Sequence, residues 1–189
     1  MKKLLLVLIV ACITGASLFA WSPDDLTKFP SCMDGNSWIL NLGVGLSSTT
    51  GQGRDFISIP PLRLSLDKNI GIGDKSLPFF IGGIFGYSGW GYTDRVGYPP
   101  KDRDDKRFYH TFSIGGRLGY HFNWDVKNLD TYAVATVGWM IYSGNSGGGS
   151  ILTGGNIGAR YFLSNAFGFW VEAGYTTFSL LDLGLTFKF

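Results

Sequence analysis

Apolar and small polar residues alternate along much of the chain, most clearly at its end. In the closing stretch LLDLGLTFKF, one parity carries Asp182, Gly184, Thr186 and Lys188. The apolar parity consists of Leu181, Leu183, Leu185, Phe187 and Phe189. Successive side chains of a β-strand point to opposite faces, so this pattern predicts a strand with one apolar face. Such a strand at a chain end must be paired and covered, or it faces something other than water.

The same alternation recurs along the chain and predicts eight strands, the closing one included. The other seven candidates cover roughly residues 36–48, 57–70, 79–92, 112–122, 131–142, 156–163 and 169–175. In the second, Leu62, Leu64 and Leu66 alternate with Arg63 and Ser65. The third is so rich in glycine and aromatic residues that its facing is ambiguous. Segments of about ten residues with this alternation, separated by turns, are typical of transmembrane β-barrels.

Composition decides which parity faces outward. Apolar residues make up 45% of the chain and charged residues only 16%, against about a quarter in ordinary soluble domains. The polar parity is mostly Gly, Ser, Thr and Asn, which suits the crowded lumen of a small barrel better than a solvated surface. We therefore expect an all-β, closed antiparallel transmembrane barrel of about eight strands, with the apolar parity toward lipid. A soluble lipocalin-like binder is the alternative class.

The chain opens with an export signal. Two lysines precede an apolar run from Leu4 to Ile13, and the small residues Thr14, Gly15, Ala16 and Ser17 follow before Ala20. This layout predicts a secretory signal peptide cleaved after Ala20, with Ala16 as the alternative. The apolar run is too short for a transmembrane anchor, which needs about 20 residues. The stretch IVAC leaves open a lipoprotein signal with Cys12 as the acylated residue.

The predicted organisation is a signal peptide at 1–20, a periplasmic N-terminal segment at 21–35 and an outer-membrane β-barrel at 36–189. Loss of the leader removes Lys2 and Lys3 and leaves as many acidic as basic residues. This balance differs from the basic surface typical of nucleic-acid binding. Cys32 is the cysteine that remains after cleavage, and its neighbours do not form a metal-ligand motif. We therefore predict no nucleic-acid partner, metal or cofactor.

Charged residues interrupt the strands on the small, polar parity. They are Arg63, Arg117, Arg160, Glu172, Asp182 and Lys188. Arg or Lys on the lipid face near the membrane midplane would cost roughly 2–4 kcal/mol each, so we expect a lumenal ion-pair network. Arg160 and Glu172 are nearly equidistant from the turn SNAFG, and we expect them to pair across it. The network is either a structural plug that holds the register or a gate or proton path.

The last third of the chain, NIGARYFLSNAFGFWVEAGYTTFSLLDLGLTFKF, resembles the small outer-membrane β-barrel superfamily, which includes the OmpX and OmpW families and the OmpA transmembrane domain. The resemblance implies location in the bacterial outer membrane, a periplasmic N-terminus and contact with outer-membrane lipids. It also implies that the five apolar residues of the closing strand form the signal read by the barrel-assembly machinery. The connections at 71–78 and 123–130 are longer than the pattern expects, and the one near 177–179 is shorter.

Two non-enzymatic functions remain open. The first is a structural and surface-interaction barrel with a filled lumen, like the OmpX and OmpA membrane domains. The second is an OmpW-like channel for small hydrophobic solutes, with Phe162 and Trp170 as a candidate lumen entrance. The connection Thr93–Arg107, with its mixed charges, is expected outside the cell as a solvated loop or a contact surface for lipid headgroups or a host protein.

An enzyme would need a nucleophile, a histidine and an acid that converge near one membrane face. The chain has two histidines, His110 and His121. His110 lies close to Thr111, Ser113 and the acidic loop, and it is the better candidate for a base. The spacing of these residues is not diagnostic of a hydrolase or an acyltransferase, so we predict that the protein is not an enzyme.

Overall fold

A computed structural model describes residues 32, 33, 35–46, 57–72, 75–94, 105–124, 126–143 and 147–189. The predicted signal peptide, Cys12, most of the N-terminal segment and the centre of the charged connection at 95–104 lie outside these residues. The predicted domain boundaries at 20 and 35 therefore stay predictions.

Eight antiparallel strands of the described chain form one closed barrel in sequence order. They are β1 Trp38–Gly45, β2 Ile57–Ile72, β3 Lys75–Asp94, β4 Asp105–Phe122, β5 Leu129–Ser143, β6 Gly148–Phe162, β7 Phe167–Thr176 and β8 Leu181–Lys188. The predicted all-β, closed antiparallel barrel of eight strands is confirmed. No helix of the described residues is long and apolar enough to cross a membrane.

Pairing between β1 and β8 closes the barrel. Leu42 lies opposite Leu185, and Gly43 lies opposite Gly184. The terminal residue continues the ladder, because Trp38 N donates to Phe189 O at 2.7 Å and Phe189 N donates to Trp38 O at 3.0 Å. The closing strand is therefore sealed along its backbone, as its pattern requires.

The predicted alternation fixes the two faces of the wall. In β2, Leu62, Leu64 and Leu66 are exposed on the outside, while Arg63 and Asp67 are buried in the lumen. The structure also resolves the ambiguous third strand. Its exposed side chains include Phe79, Ile81 and Phe85, and its buried ones include Phe80 and Ile84.

The connection between β2 and β3 is shorter than the sequence predicts. β2 extends to Ile72 and β3 begins at Lys75, so the expected long connection at 71–78 is wrong. The ladder shifts register twice, between Asn69 and Gly71 beside Pro78, and between Ile59 and Leu62 around Pro60 and Pro61. Proline is tolerated in a sheet at such irregularities, since it has no N–H to donate.

The two ends of the barrel differ. The turn end carries the connections at 73–74, 123–128 and 163–166 together with Trp38 and Phe189, and the loop end carries the other four connections. Three apolar clusters fill the lumen between them. The first, Ile84, Met140, Leu152 and Phe178, lies beside the β7–β8 turn. The second contains Phe80, Tyr132, Val134 and Trp170, and the third contains Met33, Ile39 and Phe162 at the turn end.

Glycines on the lumenal face make room for the aromatic rings. A Cβ atom at Gly119 would overlap the Phe80 ring, and one at Gly158 would overlap the Tyr132 ring. An eight-stranded barrel has space for side chains and little more. The inward glycines therefore allow large rings to fit across so narrow a lumen.

Replacing Gly119 with alanine is expected to lower the free energy of unfolding by about 1–3 kcal/mol, because the added methyl group overpacks the lumen against Phe80. Urea unfolding of the refolded barrel in detergent or lipid measures the change. Gly155→Ala is the matched control, since a Cβ atom there has nothing within 4 Å. Equal effects of the two substitutions would contradict this account of the lumen.

Candidate functional site

The strongest candidate site is a chain of charged side chains along the lumen. Acidic and basic groups alternate in it, and each is at most 3% exposed. From the loop end to the turn end, the order is Asp182, Arg63, Glu172, Arg117, Asp67, Arg160, Asp130 and His121. The alternation of β2, β4, β5, β6, β7 and β8 turns these residues inward, and we call the set the charge chain.

The half of the charge chain nearer the loop end is built around Glu172. Arg63 bridges two acids through Nη1 to Asp182 Oδ2 and through Nη2, 2.7 Å from Glu172 Oε2. The other carboxylate oxygen of Glu172 pairs with Arg117 Nη2. Glu172 is thus held between two guanidinium groups from β2 and β4.

The half nearer the turn end continues the same arrangement. Arg117 Nε lies 3.1 Å from Asp67 Oδ1, and Arg160 Nη2 lies 2.5 Å from Asp67 Oδ2. Arg160 Nη1 reaches Asp130 Oδ2 at 2.8 Å, and His121 Nδ1 lies 2.6 Å from Asp130 Oδ1. Each arginine of the charge chain therefore contacts two acids.

Neutral side chains also donate hydrogen bonds to the Glu172 carboxylate. The Tyr132 hydroxyl donates to Oε1 at 2.7 Å, and Asn156 Nδ2 donates to Oε2 at 3.2 Å. Tyr132 accepts in turn from Trp170 Nε1 at 2.7 Å, and its ring lies under the Arg160 guanidinium at 4.1 Å. Buried charges are tolerated only when they are paired and hydrogen-bonded in this way.

Asn41 on β1 connects the charge chain to the barrel seam. Its Nδ2 donates to Asp67 Oδ2 at 3.3 Å, and its Oδ1 accepts from Arg160 Nε at 3.2 Å. The same oxygen accepts from the Thr186 hydroxyl of β8 at 2.9 Å. This side chain therefore links the first and last strands with the basic and acidic groups of the lumen.

Five of the six charged residues singled out in the sequence lie in the charge chain; they are Arg63, Arg117, Arg160, Glu172 and Asp182. The sixth, Lys188, lies at the turn end. Its Nζ donates to the Cys32 carbonyl at 2.7 Å and sits 5.4 Å from the Phe162 ring centroid.

The pairing of Arg160 with Glu172 is wrong. The register places Trp170 opposite Arg160 and Gly158 opposite Glu172. Arg160 pairs across the lumen with Asp67 and Asp130 instead. Equal sequence distance from the β6–β7 turn identifies approximate neighbours within one hairpin. In a narrow barrel, however, long side chains reach strands on the far side of the lumen.

The sequence reasoning missed Asp67, Asp130 and His121 as members of the charge chain. Asp67 shares the inward parity of Arg63, and this was sufficient to find it. Asp130 was assigned to a connection, whereas β5 already begins at Leu129. His121 shares the inward parity of Arg117 on β4, and its partner Asp130 becomes apparent only when Asp130 is part of β5.

Phe162 and Trp170 are both buried, and Phe162 also borders a cavity at the turn end. Each is 2% exposed. Phe162 packs with Met33 and Ile39, and Trp170 packs with Phe80, Tyr132 and Val134. Their rings pack inside the lumen.

The residues of the candidate enzyme site are separated by the barrel wall. His110 faces outward, with Nδ1 3.0 Å from the Tyr87 hydroxyl. Thr111 and Ser113 are buried in the lumen; Thr111 is the adjacent residue of the strand, and Ser113 shares its inward parity. The described residues also contain no cluster of three His, Cys, Asp or Glu side chains that would hold a metal ion.

Cys32 is a half-buried free thiol at the turn end. Burial raises the pKa of this thiol to about 11. A thiol with so high a pKa stays protonated at neutral pH, which makes it a poor nucleophile.

The turn end also contains a cavity of about 620 Å³. Its lining residues are Cys32, Ser37, Lys127, Asn128, Phe162, Ser164, Asn165, Lys188 and Phe189.

Comparison with protein-family models finds no match, and none of the curated proteins matches. Among solved structures, Ail, the attachment invasion locus protein of Yersinia pestis, solved with the heparin analogue sucrose octasulfate, is 13% identical with a TM-score of 0.47, over 83% of this chain and 100% of that chain. The N-terminal β-barrel domain of Pseudomonas aeruginosa OprF is 16% identical with a TM-score of 0.46, over 83% and 100%. The outer membrane protein Ail in a phospholipid bilayer nanodisc is 16% identical with a TM-score of 0.44, over 82% and 100%.

Replacing Glu172 with glutamine is expected to destabilise the barrel by about 3–5 kcal/mol, because it leaves Arg63 and Arg117 without their shared buried acid. Urea unfolding measures the loss. Lys127→Gln, which removes an exposed charge at the turn end, should change the free energy of unfolding by no more than about 0.5 kcal/mol. An equally small effect of Glu172→Gln would mean that the charge chain does not hold the barrel together.

Proposed function

We propose that the chain is an integral outer-membrane β-barrel protein with a structural and surface-interaction role and a polar, ion-paired lumen. The observation that carries the proposal is the reversal of ordinary burial. Large apolar side chains cover the outside, such as Ile157 at 67% and Ile114 at 61% exposed, while Arg160 and Glu172 are fully buried. A soluble protein rarely exposes apolar patches beyond a few hundred Å², whereas a lipid-facing wall requires them.

Aromatic residues support this orientation at both ends of the wall. The turn end presents Trp38, Phe79, Tyr120, Phe122, Trp124, Phe187 and Phe189, and the loop end presents Tyr87, Phe108, Phe112, Trp139 and Tyr175. Aromatic girdles mark the two interfaces of membrane barrels, where an apolar ring meets polar headgroups. Outer-membrane lipids are therefore the proposed partners of the outer surface.

Export and assembly belong to the same proposal. The predicted signal peptide at 1–20 directs export, and the closing strand presents Leu183, Leu185 and Phe189 on the outer face, where an assembly factor can read them. Phe187 and Leu181 share that parity. We propose these five residues as the signal for the barrel-assembly machinery and the turn end as the periplasmic side.

The filled lumen favours a structural role over a channel for small hydrophobic solutes. Phe178 of the β7–β8 turn is 3% exposed and packs on Ile84, Met140 and Leu152. Below it lie the charge chain and two further apolar clusters. A solute entering from the loop end would have to displace Phe178 and then separate several buried ion pairs. Surface interaction is assigned to the loop end, since loops on rigid scaffolds often carry function.

A probe at Leu183 tests the orientation. In a Cys32→Ser protein, a fluorophore on Leu183→Cys should be quenched by lipid-borne nitroxides and unaffected by iodide in water. The matched control is the same fluorophore on Lys127→Cys, at an exposed position of the β4–β5 turn, where the quenching should be reversed. Iodide quenching at position 183 without lipid quenching would refute the membrane barrel itself.

Conductance and uptake test the filled lumen separately. The refolded protein in planar bilayers should give no steady conductance, because the described lumen is blocked from the β7–β8 turn to Phe162. Liposomes that contain it should take up a small hydrophobic dye no faster than empty liposomes. Faster uptake at matched protein insertion would favour the channel function, while leaving the membrane barrel intact.

A further inference from the structure

The charge chain contains unequal numbers of permanent charges. Its acids are Asp67, Asp130, Glu172 and Asp182, and its arginines are Arg63, Arg117 and Arg160. With a neutral His121, this described set would bury one excess negative charge. An uncompensated buried charge is strongly destabilising. We infer that His121 carries the fourth positive charge, so that His121, Asp130 and Asn69 form a proton-binding site at the turn end of the lumen.

The contacts of the imidazole ring support this inference. Nδ1 lies 2.6 Å from Asp130 Oδ1, and Nε2 lies 3.2 Å from Asn69 Oδ1. Both atoms are acceptors, whereas a neutral imidazole has a single N–H. Only the doubly protonated ring donates to both. The side chain is 1% exposed, so bulk water cannot easily replace either contact.

The pattern of the charge chain gives a second, independent reason. Glu172 contacts Arg63 and Arg117, and Asp67 contacts Arg117 and Arg160. Asp130 has Arg160 on one oxygen, and His121 occupies the place of its second cation. A charged His121 therefore gives each of these three acids two positive neighbours.

The remaining acid, Asp182, has one cation and a hydroxyl. Arg63 pairs with its Oδ2, and Ser179 Oγ lies 2.8 Å from Oδ1 and 2.7 Å from Oδ2. With His121 charged, the charge chain ends with an acid near the loop end and a cation near the turn end, and the formal charges of its members cancel.

The other elements around His121 agree with a cation at this place. The rings of Phe80 on β3 and Tyr132 on β5 lie with centroids 4.9 Å and 6.3 Å from the imidazole. β2 contributes Asp67 and Asn69 to this end of the lumen, and β6 contributes Arg160, which binds the far oxygen of Asp130. Arg160 is the next cation along the charge chain, since Asp130 contacts both it and His121. A further cation at the turn end, Lys188 of β8, donates to the Cys32 carbonyl.

Nitrogen NMR of the ring tests the charge directly. His110→Gln removes the outward-facing histidine and leaves His121 as the single histidine of the chain. In this refolded protein at pH 7, both ring nitrogens of His121 are expected to carry a proton. One protonated and one bare nitrogen would overturn the inference, and would mean that the Asn69 amide donates to a neutral ring.

One variant in the same background tests the cause. Asp130→Asn should release the ring proton at pH 7, because it removes the acid that pairs with the imidazolium. Retention of the proton in this variant would contradict the proposed site.

Discussion

The closed hydrogen-bond ladder between β1 and β8 is the constraint on which the rest of the structure depends. Within hydrocarbon no water satisfies a backbone N–H or C=O group, so a sheet in the membrane must be a ring. Here Trp38 and Phe189 exchange two backbone hydrogen bonds at one end of the closing pair. Phe189 is therefore part of the wall, and its exposed aromatic side chain lies at one rim.

Closure with only eight strands also determines what the lumen contains. The inward parity has little free space, and it must hold both the polar residues excluded from lipid and enough bulk to avoid a cavity. A glycine opposite a ring, as at Gly119 and Phe80, makes room for the bulky side chains that fill the lumen. Alternating acids and arginines allow charged residues to be buried there, because a charge that cannot reach water needs opposite charges as neighbours.

The sequence predicted the wall better than the lumen. The alternation of side chains along a strand is a local property. The outward-facing apolar residues and the inward position of Arg63, Arg117 and Glu172 therefore followed from parity alone. Partners across the lumen depend on tilt and stagger of strands far apart in sequence, which local periodicity does not contain. This explains why Arg160 was assigned to Glu172, its hairpin neighbour, when it binds Asp67 on β2.

The form of the charge chain bears on whether the lumen can open. A gate made from one ion pair needs a single exchange of partners. In this protein each arginine bridges two acids, as Arg117 does between Asp67 and Glu172, so moving one guanidinium leaves two buried carboxylates short of a partner. The cost of such a step is several kcal/mol, and the Trp170–Tyr132–Glu172 hydrogen bonds add to it. An extended alternating charge chain therefore favours a rigid, closed interior, which agrees with the proposed structural and surface-interaction role.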